Sequence, residues 1–422
     1  MKNTSIVLEI LELLRHIIFS YNYMDQYRKD KVNFTRIRKM KFTDYIIAII
    51  RGTKTGLQSG LNAFFDEYKQ NQEECSKQAF SKGRQRIKPE AFEALYSAVV
   101  QKFYRDADTA TWRGYHLFGI DGTKLNLPCT EELRAAYGVQ KTPGEPQVQS
   151  LVSCLYDLLN GMIVDTRFDA CTARERNHAQ EMISSFHVPQ VHEPVFVMDR
   201  GYPSAVLIEE IENAKYKYVM RCSTEFMQAM DVSKEDQIFM YKFAKLKQPI
   251  KLRIVKFKLP SGIYEYLVTN LFDPEIKTED FKWLYKQRWG IETKYNDLKN
   301  TLEIENFTGY SEIAILQDFY ATVLLSNIAA VMAFELRDEI KAVHSSSENA
   351  YAYKLNIRAT ISELKRNVIE MLITDSRLQR EMLFQKIARR LMRAVCPIRE
   401  ARSLPRKKKH MTAKFYQNRK RI

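Results

Sequence analysis

Several familiar signatures are missing from this 422-residue chain, and each absence removes a class of chemistry. The six cysteines (Cys75, Cys129, Cys154, Cys171, Cys222 and Cys396) are scattered and form no CxxC pair. That argues against a zinc ribbon or a disulfide framework and fits a reducing compartment. The seven histidines make no HxxxH or HExxH pattern, which counts against a zinc hydrolase. No Walker loop and no GxGxxG opens a helix, so nucleotide hydrolysis and dinucleotide redox chemistry have no support. No GxSxG elbow is present, and Cys129 has no nearby histidine to activate it. There is no internal repeat and no low-complexity tract before the C-terminal tail. Residues 5–19 are apolar but interrupted by Glu9, Glu12 and Arg15, which suits an amphipathic helix better than a secretory signal. The most membrane-like stretch, Phe319–Leu336, holds Ser326, Asn327 and Glu335 between charged flanks and is expected to be a buried core helix. The expectation is a soluble, cytoplasmic protein.

What is present is a globular composition, 45% hydrophobic and 28% charged, with a formal charge of +15 and a pI near 9.3. The length predicts two or three domains. The basic balance favours a polyanionic partner, nucleic acid or an anionic membrane surface. It is concentrated at the C-terminus, where Arg399–Ile422 carries ten Lys/Arg against the single acid Glu400. Residues 1–110 read as helical, with candidate helices Lys41–Arg51, Leu57–Tyr68, Lys77–Ile87 behind a Ser76 cap, and one opened by Pro89. The run Ser81–Lys88 (SKGRQRIK) is a basic connection of the kind that can meet phosphates. A solvated loop is its ordinary alternative.

From Trp112 the pattern changes to strands and helices in alternation. Tyr115–Ile120 leads into Asp121-Gly122-Thr123. Gln149–Tyr156 and Met162–Phe168 read as hairpin strands, and Ala173–Phe186 as a helix. Pro194–Met198 leads into Asp199-Arg200-Gly201, Ala205–Ala214 is a helix, and Tyr216–Cys222 a strand. This is a mixed α/β layer. Residues 223–275 then read as a β-rich insertion, followed by a helix over Thr278–Leu302 and a helical part from Ser311 to Val395.

Asp121 and Asp199 share one context: each follows an apolar run and precedes a glycine loop. An Asp at the carboxyl end of a strand projects where ligands bind in open α/β sheets. Two such carboxylates close together need a cation, and Mg²⁺ suits them. On the later helix, Tyr285, Arg288, Glu292 and Lys299 are offset by 3, 7 and 14 residues from Tyr285. At about 100° per residue they fall within about 60° of one another. Glu292 is thereby the candidate third carboxylate of a site that activates a water or a 3′-hydroxyl at a phosphodiester, with Arg288 and Lys299 holding phosphates. Asp157, Asp165 and Asp169 compete with the two aspartates, and Glu303 and Glu305 with Glu292. Each piece also has an ordinary reading, as turn chemistry or a solvated helix face.

The strings FGIDGTKLNLP, FVMDRGYPS and Tyr285-x2-Arg288-x3-Glu292-x6-Lys299 resemble those of bacterial insertion-sequence transposases of the Asp-Asp-Glu type. Within that class the chain is similar to insertion-sequence family four, the Tyr-Arg-Glu-Lys signature family. The resemblance covers about residues 30–400. It implies an RNase H-like mixed-sheet catalytic core interrupted by a β-rich insertion, with helical N-terminal and C-terminal parts. The expected domains are 1–110 (helical, DNA-binding), 111–222 (core, first part), 223–275 (insertion), 276–310 (catalytic helix), 311–398 (helical) and 399–422 (basic tail). It implies Asp121, Asp199 and Glu292 as catalytic metal ligands for Mg²⁺, with Mn²⁺ as the alternative ion. Tyr285, Arg288 and Lys299 would contact DNA near the transferred strand. Arg200 joins them as a candidate DNA contact, and Trp289 as a base-stacking residue whose alternative is helix–sheet packing. The implied reaction is cut-and-paste transposition. The implied partners are double-stranded DNA, as terminal inverted repeats and target, and a second copy of the chain in a synaptic complex. No membrane is involved, and the location is cytoplasmic with the nucleoid. The rival readings are a non-catalytic DNA-binding regulator or inhibitor and a related metal-dependent nuclease.

Overall fold

The structure, a computed structural model, describes residues 5–36, 38–52, 56–69, 73–140, 146–223, 231, 233–259, 262–344 and 351–398. The basic tail Arg399–Ile422, the Ser345–Asn349 loop and most of the Pro143–Gly144 loop lie outside the described residues. The chain forms two compact units. One comprises Met1–Ala107, Leu125–Ser150 and Asp297–Ile422; the other comprises Asp108–Lys124 and Leu151–Asn296.

The first unit opens with helices α1 (Ile6–Phe19), α2 (Tyr21–Tyr27), α3 (Phe42–Arg51), α4 (Leu57–Tyr68), α5 (Lys77–Arg84) and α6 (Glu90–Asp106). The apolar stretch near the N-terminus becomes α1, which buries Val7, Leu8, Ile10, Leu11, Leu14 and Ile18 on one side. Ser76 caps α5 by accepting the Ala79 N–H, as its position before the helix demands. Strand β1 (His116–Asn126) enters the second unit's sheet and returns to α7 (Glu131–Tyr137) and β2 (Val139–Gln140). After β3 (Gln147–Asp157) the second unit continues with β4 (Ile163–Ala170), α8 (Glu175–Ser184), β5 (Pro194–Met198), α9 (Ala205–Asn213) and β6 (Lys217–Cys222). It goes on through β7 (Asp236–Tyr241), β8 (Ile250–Lys258), β9 (Tyr264–Thr269), α10 (Thr278–Gln287) and α11 (Trp289–Asn300). The first unit closes with α12 (Glu312–Glu335), α13 (Arg337–His344), β10 (Tyr353–Leu355), α14 (Ile357–Ile373), α15 (Arg377–Leu391) and β11 (Val395–Pro397).

Helix α12 is long and apolar enough by composition to cross a membrane, yet 72% of its most apolar window is buried in the fold. It packs against α1, α3, α6 and α14. Arg84 explains part of the basic Ser81–Lys88 run. Its guanidinium is buried and bonds Gln317, Thr308, Asp318 and the Ala314 carbonyl. A guanidinium with four of its five donors so used pins α5 to α12 and is spent on structure.

The main sheet runs β2-β3-β1-β5-β6-β9-β8-β7, with β4 also paired to β3. Strands β1, β5 and β6 are parallel neighbours, and β6, β9, β8 and β7 are antiparallel. Parallel strands need crossovers, and α9, capped by Ser204 through the Leu207 N–H, supplies the one from β5 to β6. The apolar inner positions Leu117, Val195, Val197, Val219, Val255 and Leu267 meet Phe281, Leu284 and Tyr285 of α10. Each such side chain, fully buried, contributes about 1.5–3 kcal/mol. This packing fixes α10, and with it the start of α11, against the sheet.

The continuous helix expected over Thr278–Leu302 is two helices meeting at Arg288. There the Arg288 N–H bonds the Tyr285 carbonyl and the Ile291 N–H bonds the Arg288 carbonyl, so the turn tightens to three-residue spacing. Asp121 also departs from expectation, since β1 continues through it to Asn126.

Candidate active site

Strand register brings the two aspartates side by side. Strand β1 pairs with β5 from His116 opposite Pro194 to Gly119 opposite Val197. Two residues further along each strand stand Asp121 and Asp199. Met198 pairs with Met220 of β6, so the next residue there, Arg221, comes beside Asp199. Its Nη1 lies 3.9 Å from Asp199 Oδ1, and its Nε is paired with the buried Glu265.

Helices α10 and α11 supply the remaining groups. The Tyr285 hydroxyl donates to Asp199 Oδ1 at 2.9 Å, and the Arg200 backbone N–H donates to the same oxygen at 2.7 Å. Arg288 Nη2 donates to Glu292 Oε1 at 2.9 Å. Arg288 is only 5% exposed, and its positive charge acts on Asp121 and Asp199 as well. One buried guanidinium therefore bonds the α11 carboxylate and acts by charge on those of β1 and the end of β5. Its Nε–H has no hydrogen-bond partner.

The aspartates differ electrostatically. Burial pushes the Asp121 carboxyl up to about 6, against the Gly122 N–H and Arg288, and the charges of Glu175 and Glu292 push it further. Burial alone would also raise Asp199. There the Arg200 N–H, Arg288, Tyr285 and Arg221 outweigh it and hold the carboxyl below its ordinary value. Burial drives the Tyr285 phenol well up, so it is a donor at neutral pH. Asp121 is thus the carboxylate least compensated by protein. An all-oxygen donor set with an under-neutralised member suits a hard divalent cation. Among the described residues no three His, Cys, Asp or Glu side chains stand close enough to hold one ion together. Glu292 is engaged by Arg288, and one Asp199 oxygen by Tyr285.

Residues beyond the motifs complete the arrangement. Tyr295, on α11 three residues past Glu292, donates to the Asp121 carbonyl at 2.6 Å and accepts the Cys154 N–H at 3.0 Å. It ties the Glu292 helix to the backbone that carries Asp121. Tyr295→Phe is expected to cost roughly 1–3 kcal/mol of unfolding free energy by orphaning the buried Cys154 N–H. An unchanged urea midpoint at constant slope would remove the hydroxyl from this account. Glu175, at the start of α8, lies over Gly122, where an added Cβ would come within 2.6 Å of its carboxylate. The Tyr202 hydroxyl also reaches it, at 3.4 Å.

The other candidates fall elsewhere. Trp289 is half exposed, with the Arg288 guanidinium 5.7 Å from its ring centre, and Arg200 is exposed. Lys299 lies on α11 beyond the boundary of the second unit; burial lowers its ammonium pKa and Glu305 works the other way. Asp157 is consumed by the β3–β4 turn, accepting the Leu159 and Asn160 N–H groups. Asp165 pairs with Arg167 and Asp169 with His178. Glu305 accepts the Asn126 backbone and side-chain N–H groups. Ser153, His178 and Asp169 form a hydrogen-bonded chain of 2.8 and 3.1 Å. Ser153 is fully buried, so no substrate reaches it as a nucleophile.

The site's carboxylates are an aspartate within β1, one just past the end of β5 and a glutamate on α11. The family described as "Transposase DDE domain" matches residues 112–328, just over half of the chain, and the chain belongs to it. It is 23% identical over 279 residues to InsG, the transposase for insertion sequence element IS4 from Escherichia coli (strain K12), which bears out the resemblance to insertion-sequence family four. That match covers 62% of this chain and 62% of the relative, so it spans less than two thirds of that protein's length. Among solved structures, the chain is similar to piggyBac transposase in its synaptic complex with hairpin DNA. The TM-score is 0.50 and the identity 11%, over 96% of this chain and 88% of that one. At that identity the likeness is one of fold.

Proposed function

We propose that this chain is a transposase that cuts DNA at the ends of an insertion sequence and joins the freed 3′-ends to target DNA. The observation that carries the reading is that Arg288, bonded to Glu292, also acts by charge on Asp121 and Asp199, all within one unit of a DDE-family chain. The second unit is then an RNase H-like core, with β7, β8 and β9 as its inserted strands. The helical segment 1–110, the helical segment 311–398 and the basic tail are further DNA-handling or assembly parts. The partners are double-stranded terminal repeats, target DNA and a second copy of the chain, in the cytoplasm with the nucleoid.

Asp121, Asp199 and Glu292 would hold divalent cations, Mg²⁺ or Mn²⁺, which supply activation of the attacking water or 3′-hydroxyl and stabilisation of the leaving oxygen. The protein's own groups do the rest. Tyr285 and the Arg200 N–H orient Asp199 by two donors on one oxygen. Tyr295 fixes the Asp121 backbone. Arg288 neutralises the carboxylates before substrate arrives, and a DNA phosphate is the natural competitor that draws its guanidinium from Glu292. Lys299 and Arg200 grip further phosphates, and the exposed Trp289 stacks on a base.

Purified protein should nick duplexes carrying the inverted repeats that bracket its reading frame, only with Mg²⁺ or Mn²⁺, and should join the cut 3′-ends to a second duplex. Binding without nicking under every metal condition would replace this reading with a DNA-binding regulator. Nicking without any joined product would replace it with a nuclease.

A further inference from the structure

A cleft of about 890 Å³ opens in the second unit, lined in part by Glu175, whose charge acts on Asp121. Its lining includes four cations, Lys124, Arg174, Arg176 and Lys245, against the single carboxylate of Glu175. Such a lining differs from the mostly apolar wall of a small-molecule pocket. Lys124 shares the face of β1 with Gly122, over which Glu175 lies, and Gly201 of the lining follows Asp199 directly after Arg200. The Arg176 guanidinium donates to the Gly201 carbonyl at 2.7 Å, which ties the Asp199 loop to the cleft wall. Lys245 brings in the segment between β7 and β8, part of a run from Gln237 to Tyr264 with seven Lys/Arg and no acid.

Resting on the transposase reading above, we infer that this cleft is a second DNA contact, distinct from the Tyr285–Arg288–Lys299 helix. It takes the phosphodiester backbone of the strand leading to or from the scissile phosphate. Cations spaced along a track fix register by phosphate contact and read no sequence. The cleft therefore serves any flanking sequence.

Arg174 and Lys245 are exposed and lie outside the carboxylate site, so Arg174→Ala with Lys245→Ala should fold normally. The test measures affinity for a mixed-sequence single-stranded oligonucleotide and for its duplex across a salt series, without divalent metal. The slope of log affinity against log salt should fall by about 1.4 for the single strand and about 1.8 for the duplex, as two phosphates go without a neutralising cation. A control pair of exposed cations outside the cleft and outside the helical segments, Lys215→Ala with Lys277→Ala, should leave the slope unchanged. Wild-type slopes in the cleft variant, an equal fall in the control, or no salt-dependent binding by wild type would each overturn the inference. Loss of slope in a protein that never nicks DNA would leave the cleft standing and remove only the transposase reading. Metal-dependent joining by a cleft variant of unchanged slope would do the reverse.

Discussion

Asp121→Asn, Asp199→Asn and Glu292→Gln should each abolish metal-dependent nicking and joining while leaving salt-dependent DNA binding in place. Each change keeps the side chain's shape and removes one negative charge from a set that acts as a unit. The loss should be on the order of 10³-fold or more for any one of the three, and the double variants should be little worse than the singles. Glu292→Gln should also free the Arg288 guanidinium, its 2.9 Å partner, for phosphate. DNA binding by that variant should hold or tighten. Single-turnover nicking with parallel binding isotherms makes the comparison. Retained nicking in any of the three would sink the assignment of that residue.

The second large effect runs opposite to activity. In the metal-free protein the Asp121 carboxyl titrates near 6 because it is buried. Its ordinary value is about 3.9. A carboxyl raised on folding leaves stability at its fullest below the ordinary value and withdraws it as pH rises through the folded value. Asp121→Asn lacks that penalty. The variant should be more stable than wild type at pH 8 by about 1–3 kcal/mol, with the gap closing between pH 6 and pH 4. Saturating Mg²⁺ should reverse the order, since binding at 100 times Kd adds about 2.7 kcal/mol to wild type alone. Urea unfolding at pH 4, 6 and 8, with and without Mg²⁺, reads all of this. A metal-free variant less stable than wild type at pH 8 would show that Asp121 is compensated by the protein after all.

Such a trade is what a functional carboxylate demands. A side chain kept short of partners for a cation's sake destabilises the fold that holds it. Asp157 shows the contrast within the same sheet, its oxygens filled by the turn it builds. Burial raises the Asp165 carboxyl as well, with Arg167 beside it working the other way. Local sequence separates these aspartates from Asp121 and Asp199 only by their place inside or beside a hairpin, since all four follow or sit within β-like runs. What separates them is whether another element arrives to use the carboxylate, and that is a tertiary fact.

Short-range signals are the legible ones. The motif strings around Asp121 and Asp199 and the Tyr285–Lys299 spacing point to the transposase family, and the family match bears that out. Ser76, Ser204 and Ser311 sit where they must to cap α5, α9 and α12, because capping depends on residues three apart. The apolar run Pro194–Met198 is β5, with Asp199 just beyond it. The roles of Arg84, Arg221, Glu175 and Tyr295 are not legible. Arg84 stands within a basic run and is spent inside the first unit on α12, more than 200 residues away. Arg221 reaches Asp199 only through the β5–β6 register, and Glu175 reaches Gly122 only because glycine leaves room.

The sequence by itself therefore determined the kind of protein, the strands and helices, and the three acidic candidates, because motif spacing and periodicity are local properties. Only the tertiary structure decided how those candidates meet. It set Asp121 within a long strand, broke the expected helix at Arg288, and left Glu292 paired with a guanidinium whose charge also acts on both aspartates. Strand register and helix packing set those contacts, and both depend on partners far away in the chain.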